Sequence, residues 1–173
     1  MHILHVETGR HLYGGALQVL YLVKGLKKQG CRSTLVCAKG SKIGEAASVA
    51  ATIHKVPMVG ELDPRFVLQL EQVIRAECPD IVHVHSRRGA DFWGIIAARL
   101  NRTKVVLTRR VDNPELPRVA QIKYRLCDRV ITISEGIRRV LLSEGIPAHK
   151  IVCVPSGLAI EQDNQGCKSE WFR

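Results

Sequence analysis

Along this chain the spacing of apolar positions keeps switching between short β-branched runs and stretches that repeat every three or four residues. The short runs, at 2–6, 33–38, 52–56, 81–84, 104–108, 129–133 and 150–154, read as strands. The intervening stretches read as amphipathic helices at about 16–29, 42–51, from Asp63-Pro64 to Glu77, 89–100, 117–126 and from Ser134 to Glu144. Gly30 and Gly145 follow the first and last of these, where a helix stops in the left-handed region that glycine enters freely. Asp63 and Pro64 open the third, one as a cap and the other at the first turn.

The runs are apolar almost throughout rather than alternating, as in parallel strands covered on both faces. Seven such strands with helices between them predict an α/β fold, a doubly wound, Rossmann-like parallel sheet of about seven strands over residues 1–158. Residues 159–173 lose all periodicity and read as a cut linker or irregular tail, with Trp171 and Phe172 to dock it.

The fourth run, Asp80-Ile-Val-His-Val-His-Ser86, ends in polar residues and is followed by Arg87, Arg88 and Gly89. In open α/β sheets ligands bind outside the carboxyl ends of the strands, so His85 and Ser86 fall where chemistry is expected. His83 shares a sheet face with His85 because side chains alternate with period two. An H-x-H pair can also ligate a metal, but no third ligand of suitable spacing is apparent in the sequence. The plain alternative for either residue is a satisfied core histidine, which suits His83 better than His85.

Composition narrows the classes. The 173 residues are 46% hydrophobic and 24% charged, an ordinary globular balance sufficient for one core. No apolar run approaches the roughly 18 residues of a membrane span, and the start, Met1-His-Ile-Leu-His-Val6, is unlike a signal peptide, so a cytoplasmic location is expected. Six cysteines (Cys31, Cys37, Cys78, Cys127, Cys153, Cys167) lack any C-x-x-C pairing and suit reduced core thiols. The net charge of +10 is uneven: +3 over 1–85, +8 over 86–150 and −1 over 151–173. Such a field favours an anionic partner, whether phosphate-bearing substrate, anionic lipid or nucleic acid, or is simply a solvated basic face. Nucleic acid is disfavoured because only Tyr124 lies near the basic segment to stack a base.

Several common chemistries have no motif here. The first strand–helix turn, Gly9-Arg-His-Leu-Tyr-Gly-Gly15, lacks the G-x-G-x-x-G dinucleotide fingerprint, and the second strand ends in Cys37-Ala38 where a ribose-binding acid would stand. Neither G-x-x-x-x-G-K-[ST] nor G-x-S-x-G occurs, and no paired carboxylates at strand tips suggest a glycosidase. Gly14 and Gly15 before the first helix either form a tight turn or let a ligand approach bare amides at its positive end.

Taken together, the Gly14-Gly15 loop, Asp80-Ile-Val-His-Val-His85, Val105-Val-Leu-Thr-Arg-Arg110, Val130-Ile-Thr-Ile-Ser-Glu135 and Lys150-Ile-Val-Cys-Val-Pro-Ser-Gly157 resemble the amino-terminal domain of family 4 glycosyltransferases of the GT-B fold. The resemblance covers residues 1 to about 158. It implies two Rossmann-like domains facing a cleft, the first for acceptor and the second for sugar nucleotide, with retention of anomeric configuration, no cofactor and usually no bound metal. It places His85 near the transferred sugar as the catalytic candidate. Gly14 and Gly15 would face donor phosphate or acceptor, and Arg109 and Arg110 would contact anionic groups unless they are plain surface charge. Ser134 faces the cleft in the family but also reads as an ordinary N-cap, the reading preferred here.

The family's E-x7-E nucleotide-sugar motif and the second domain are absent from these 173 residues, so the chain reads as the acceptor half, inactive alone. The expected partners are a nucleotide-sugar donor, mainly through the other half, a glycan or lipid-linked acceptor, and an anionic membrane touched peripherally at its inner face. Surface-glycan or lipopolysaccharide assembly is the expected setting. The alternatives are a non-catalytic acceptor- or partner-binding domain and half of a sugar-nucleotide epimerase of the same fold.

Overall fold

The computed structural model describes residues 1–57, 63–85, 90–113, 115 and 117–157. Seven strands, β1 (His2–Glu7), β2 (Arg32–Ala38), β3 (Thr52–Val56), β4 (Ile81–Val84), β5 (Lys104–Arg109), β6 (Arg129–Thr132) and β7 (Ile151–Cys153), alternate with helices. The helices are α1 (Gly14–Lys28), α2 (Lys42–Ala46), α3 (Arg65–Glu77), α4 (Ala90–Leu100), α5 (Pro117–Leu126) and α6 (Glu135–Ser143). Ser86, Arg87, Arg88, Gly89, Cys167 and the 159–173 tail, all singled out from the sequence, lie outside the described residues.

All neighbouring strands pair in parallel in the order β3-β2-β1-β4-β5-β6-β7. The chain therefore builds outward from β1 to β3, crosses back, and builds outward again from β4 to β7. Because parallel crossovers are right-handed, the reversal puts α1 and α2 on one face and α3 to α6 on the other. Packing agrees. Phe66 and Leu70 of α3, Ile95 of α4, Tyr124 of α5 and Leu141 of α6 share a cluster with Leu4, Val6, Val82, Val84, Val105, Leu107 and Val130. On the second face Val19, Leu20 and Val23 of α1 and Ile43 of α2 cover Leu35 and Cys37. Each fully buried aliphatic side chain of this kind contributes roughly 1.5–3 kcal/mol. Among the described residues only two helices lie on that face and none covers it beyond β4, and Val152 and Val154 are 47% and 49% exposed.

The glycine stops act as the sequence predicts. Gly30 sits at φ 73°, with its own N–H on the carbonyl of Lys27 and that of Cys31 on Leu26. Gly145, at φ 82°, ends α6 with the same pair of bonds, to Leu142 and Leu141. Elsewhere boundaries move. α1 begins at Gly14, two residues before its apolar repeat, because glycines at a first turn add no period. α2 stops at Ala46 instead of 51: the amides of Ala50 and Ala51 turn back onto the carbonyl of Ala47. β7 starts at Ile151 because Lys150 closes a 3₁₀ turn and its ammonium donates to the carbonyls of Arg125 and Cys127, at 2.9 and 2.8 Å.

Candidate functional site at the carboxyl ends of β1, β4 and β5

Along the face that α1 overlies, each strand presents alternate residues: His5 and Glu7 on β1, His83 and then His85 on β4, Thr108 and then Arg110 on β5. Register brings them abreast. His5 stands opposite His83 in the β1–β4 ladder, and the amide of His85 extends that ladder by donating to the carbonyl of Val6 at 2.9 Å. One polar patch thus forms at the switch point of the sheet, where open α/β folds bind ligands.

The three histidines are packed ring to ring. The centroids of His83 and His85 are 3.8 Å apart and those of His5 and His85 5.3 Å apart. Nδ1 of His5 and Nε2 of His85 share a hydrogen bond of 3.1 Å, and Nε2 of His83 bonds the hydroxyl of Thr108 at 2.7 Å. His5 is 0% and His85 2% exposed. Burial is the main force on their titration, because it disfavours the charged form. It holds His5 at a pKa of about 4 and, helped by the neighbouring rings and Arg110, holds His83 and His85 well below the ordinary histidine value. All three are neutral imidazoles near pH 7. Nε2 of His5 and Nδ1 of His85 are buried with no hydrogen-bond partner among the described residues.

Arg110 lies beside this cluster and beneath the start of α1: a Cβ on Gly15 would sit 3.5 Å from its Cδ. Burial lowers its pKa and the carboxylate of Glu7 opposes that fall. Nε of Arg110 is buried without a hydrogen-bond partner among the described residues. Above it, α1 starts from Tyr13, whose side chain makes no cap, and its first turn carries no acidic residue. The positive end of a 15-residue helix therefore points at the same place as a guanidinium. A Cβ at Gly14 would meet nothing within 4 Å among the described residues. His83, His85, Thr108 and Arg110 line one end of an open cavity of about 550 Å³ that runs along this face past Tyr21 and Leu26 of α1 to Ile3 and Ile81, with Ile131 and residues 154–157 on its far side.

The sequence-derived candidates separate. His85 and Arg110 come together at the cavity, and Gly15 lies against Arg110. Arg109 does not join them, which corrects its assignment as a substrate contact. Period two turns it to the opposite face, where it is 5% exposed. There Nε donates to the carbonyl of Val111 at 2.7 Å, NH1 to Glu115 and, at 2.8 Å, to the hydroxyl of Tyr124, and NH2 to the carbonyl of Asn113. Lys123 adds ion pairs with Glu115 at 2.5 Å and Asp91 at 3.0 Å. Two cations and two carboxylates thereby pin the segment after β5 onto α5. Surface charge, the alternative for Arg109, is equally wrong. Ser134 is exposed and is an N-cap, its Oγ accepting the N–H of Ile137 at 3.2 Å, and it does not line the cavity. Tyr124 is fully buried and offers no stacking face.

Three residues of the patch were passed over in the sequence, His5, Glu7 and Thr108. His5 also corrects the expectation that the H-x-H pair has no third ligand, since one ring nitrogen from each of His5, His83 and His85 lies within 4.8 Å of the others. The charge around them is unsuited to a cation, however. Arg110 is the charged side chain acting on His83 and His85, and no carboxylate is among the groups that shift them. Of the six cysteines, the five described are free; Cys37 and Cys127 are buried as expected of core thiols, but Cys78 is exposed.

The description Glycosyltransferase Family 4 matches residues 13–162. No curated protein matches the chain. Among solved structures, Anabaena Alr3699/HepE in complex with UDP-glucose superposes with a TM-score of 0.74 at 16% identity, over 93% of this chain and 45% of that one. A glycosyltransferase from Rickettsia africae gives 0.73 at 19% identity over 91% and 43%. The S. aureus MnaA co-structure with UDP gives 0.70 at 22% over 88% and 43%. The chain spans less than half the length of each. These likenesses establish the fold, and the family match, which takes in most of the chain, establishes that it belongs to glycosyltransferase family 4.

Proposed function

We propose that this domain is the acceptor-side half of a retaining glycosyltransferase that moves a sugar from a nucleotide donor to a glycan or lipid-linked acceptor in cell-surface polysaccharide or lipopolysaccharide assembly. The observation that carries the reading is that neutral His85 and cationic Arg110 line the 550 Å³ cavity, with the uncapped start of α1 against Arg110. These groups match the two ends of a sugar phosphate. A neutral imidazole hydrogen-bonds a hydroxyl, while a guanidinium and helix amides attract phosphate oxygens.

In the transfer, the acceptor oxygen bonds to the anomeric carbon as the bond from that carbon to the diphosphate oxygen breaks, and the leaving group departs with the electron pair. The acceptor's proton goes with it. Negative charge grows on the diphosphate, so preorganised donors lower the barrier, Arg110 and the α1 amides from this half and the remainder from a donor half. Without that half the 173 residues have no turnover. The surplus of +8 over residues 86–150 suits a membrane-held acceptor at an anionic inner leaflet, consistent with a cytoplasmic enzyme bound peripherally. No helix among the described residues is long and apolar enough to cross a membrane.

Likenesses to a putative UDP-N-acetylglucosamine 2-epimerase from Listeria monocytogenes and to a UDP-GlcNAc 2-epimerase from Methanocaldococcus jannaschii keep one second reading in play, half of a sugar-nucleotide epimerase. Incubating a two-domain form with a panel of sugar nucleotides separates the two. Transfer yields nucleoside diphosphate in proportion to glycosylated acceptor; conversion of a sugar nucleotide to its C2 epimer with no acceptor present contradicts the transferase reading.

A further inference from the structure

We propose that the stacked rings of His11 and Tyr13, in the loop between β1 and α1, form a platform on which a saccharide ring of the acceptor lies. That the sugar is the acceptor's rests on the transferase reading; the two residues themselves stand outside the cavity lining.

The loop Gly9-Arg-His-Leu-Tyr-Gly-Gly15 folds about Leu12, which packs against the cluster formed by α1, α2 and β2. The side chains on either side of it turn outward. His11 is exposed, and Tyr13, at 73%, is the most exposed large hydrophobic side chain among the described residues. Their rings lie nearly parallel, with centroids 5.3 Å and planes 16° apart. A single exposed apolar side chain is ordinary, but two aromatic rings held flat against each other in solvent make a defined surface.

The loop beneath them is pinned at three points. The N–H of Gly9 donates to Oε1 of Glu7 at 2.8 Å, that of Lys42 to the carbonyl of Arg10 at 3.2 Å, and that of Leu17 to the carbonyl of Tyr13 at 3.1 Å. Tyr13 precedes α1 in an extended conformation, φ −107° and ψ 169°, and its side chain makes no cap bond. Tyrosine on a fixed backbone offers a large amphipathic contact at low entropic cost.

Position and chemistry together select the occupant. Two peptide units separate Tyr13 from Gly15, a Cα distance of at most about 7.6 Å, and Gly15 lies against Arg110 at the polar end of the cavity. A ring on the stack therefore borders the place where the reacting sugar and phosphate are proposed to sit. The face of an aromatic ring is flat, apolar and slightly negative. One face of a pyranose matches it with C–H groups, and its rim of hydroxyls meets the phenol and imidazole at the platform's edge. A nucleobase stacks on aromatic rings as well, but the nucleotide belongs mainly to the donor half, which leaves this surface to the acceptor.

Aromatic ¹H–¹³C spectra of the 173-residue chain test this by titration with the methyl glycosides of glucose, galactose, mannose and N-acetylglucosamine, and separately with uridine. We expect at least one glycoside to shift the ring signals of Tyr13 and His11 while those of buried Tyr124 stay in place. Tyr13→Ala should weaken that binding about two- to tenfold, and Tyr13→Trp should retain it; both replace an exposed side chain, so the fold is kept. No movement of the Tyr13 and His11 rings with any glycoside, unchanged binding in Tyr13→Ala, or movement with uridine in place of the glycosides would overturn the platform. Binding needs no turnover, so the two readings fail separately. A two-domain form that transfers sugar while the glycosides leave Tyr13 unmoved removes the platform alone, and glycoside binding at Tyr13 in a protein that transfers nothing removes the transferase reading alone.

Discussion

Gln18 and Gly157, 139 positions apart in sequence, hold each other through both polar atoms of the glutamine amide: Nε2 donates to the carbonyl of Gly157 at 2.6 Å and Oε1 accepts its N–H at 3.1 Å. The bond ties the segment leaving β7 to α1 and closes one wall of the cavity. Hydrogen bonds at an exposed site contribute about 0.5–1.5 kcal/mol each. We expect Gln18→Ala to lower stability by roughly 1 kcal/mol and to speed amide exchange at 156–157 with β1 and β4 unchanged. Uniform exchange across the domain would show that the clasp is only one bond among many.

Two adjacent arginines should behave oppositely. Arg109→Ala leaves Glu115, the Tyr124 hydroxyl and two loop carbonyls without their donor in a buried place, and loss of one partner from such a network costs about 3–5 kcal/mol. Arg110→Ala breaks no such network and should cost little stability, yet weaken sugar-nucleotide affinity in a two-domain form about tenfold or more. Chemical denaturation and isothermal titration of both variants read the contrast. Equal stability losses would place Arg110 in the structural role too.

Stability should fall as pH is lowered from about 6.5. His5, His83 and His85 are depressed in the fold, so the unfolded chain binds protons first, and the fold loses ground as pH drops below the unfolded value of 6.5. For His5 the loss is complete near pH 4 and amounts to roughly 3 kcal/mol at about 1.4 kcal/mol per unit. Glu77, lowered chiefly by its bond to His54, adds a loss as pH falls through the carboxylate range. Urea denaturation from pH 7 to 4 should show this slope, and His5→Leu should flatten its upper part. A profile identical in the variant would remove His5 from the account.

Gly14 and Gly15 carry no positive φ, and alanine at 14 meets open space. Gly14→Ala should therefore leave stability level or raise it by up to about 1 kcal/mol, since alanine loses less entropy in a helix. If a phosphate approaches the α1 amides, the same variant should weaken sugar-nucleotide binding. Thermal melts and titration calorimetry together test this; a stable variant that binds as tightly as its parent would move the phosphate elsewhere.

The sheet was legible because Ile, Val and Leu runs flanked by Gly30 and Gly145 carry their own periods and stops, whereas the start of α3 was misread: Pro64, not Asp63, is its N-cap. The site was legible in its axis, since the polar end of β4 names His85, but not in its width. His5 sits in Ile3-Leu-His-Val6 like a core residue, and only the pairing of β1 with β4 puts it against His83. A doubly wound order brings those strands together, and period two then selects His5, so the signal was present but needed the register. Arg109 and Arg110 are indistinguishable in sequence. A single step along the strand sends one into a buried ion network and the other to the cavity, and no composition rule predicts which.

The central claim is that His85 and Arg110 on this domain serve glycosyl transfer completed by a second half. It is tested most directly by measuring sugar transfer from a panel of sugar nucleotides by the 173-residue chain, by a two-domain form, and by that form carrying His85→Ala. We expect no turnover from the short chain, turnover from the two-domain form, and a loss of about tenfold to a hundredfold in kcat on His85→Ala, smaller than the roughly 10²–10⁴-fold of a group that transfers the proton itself. Turnover by the short chain, or a His85→Ala enzyme as fast as its parent, would contradict it.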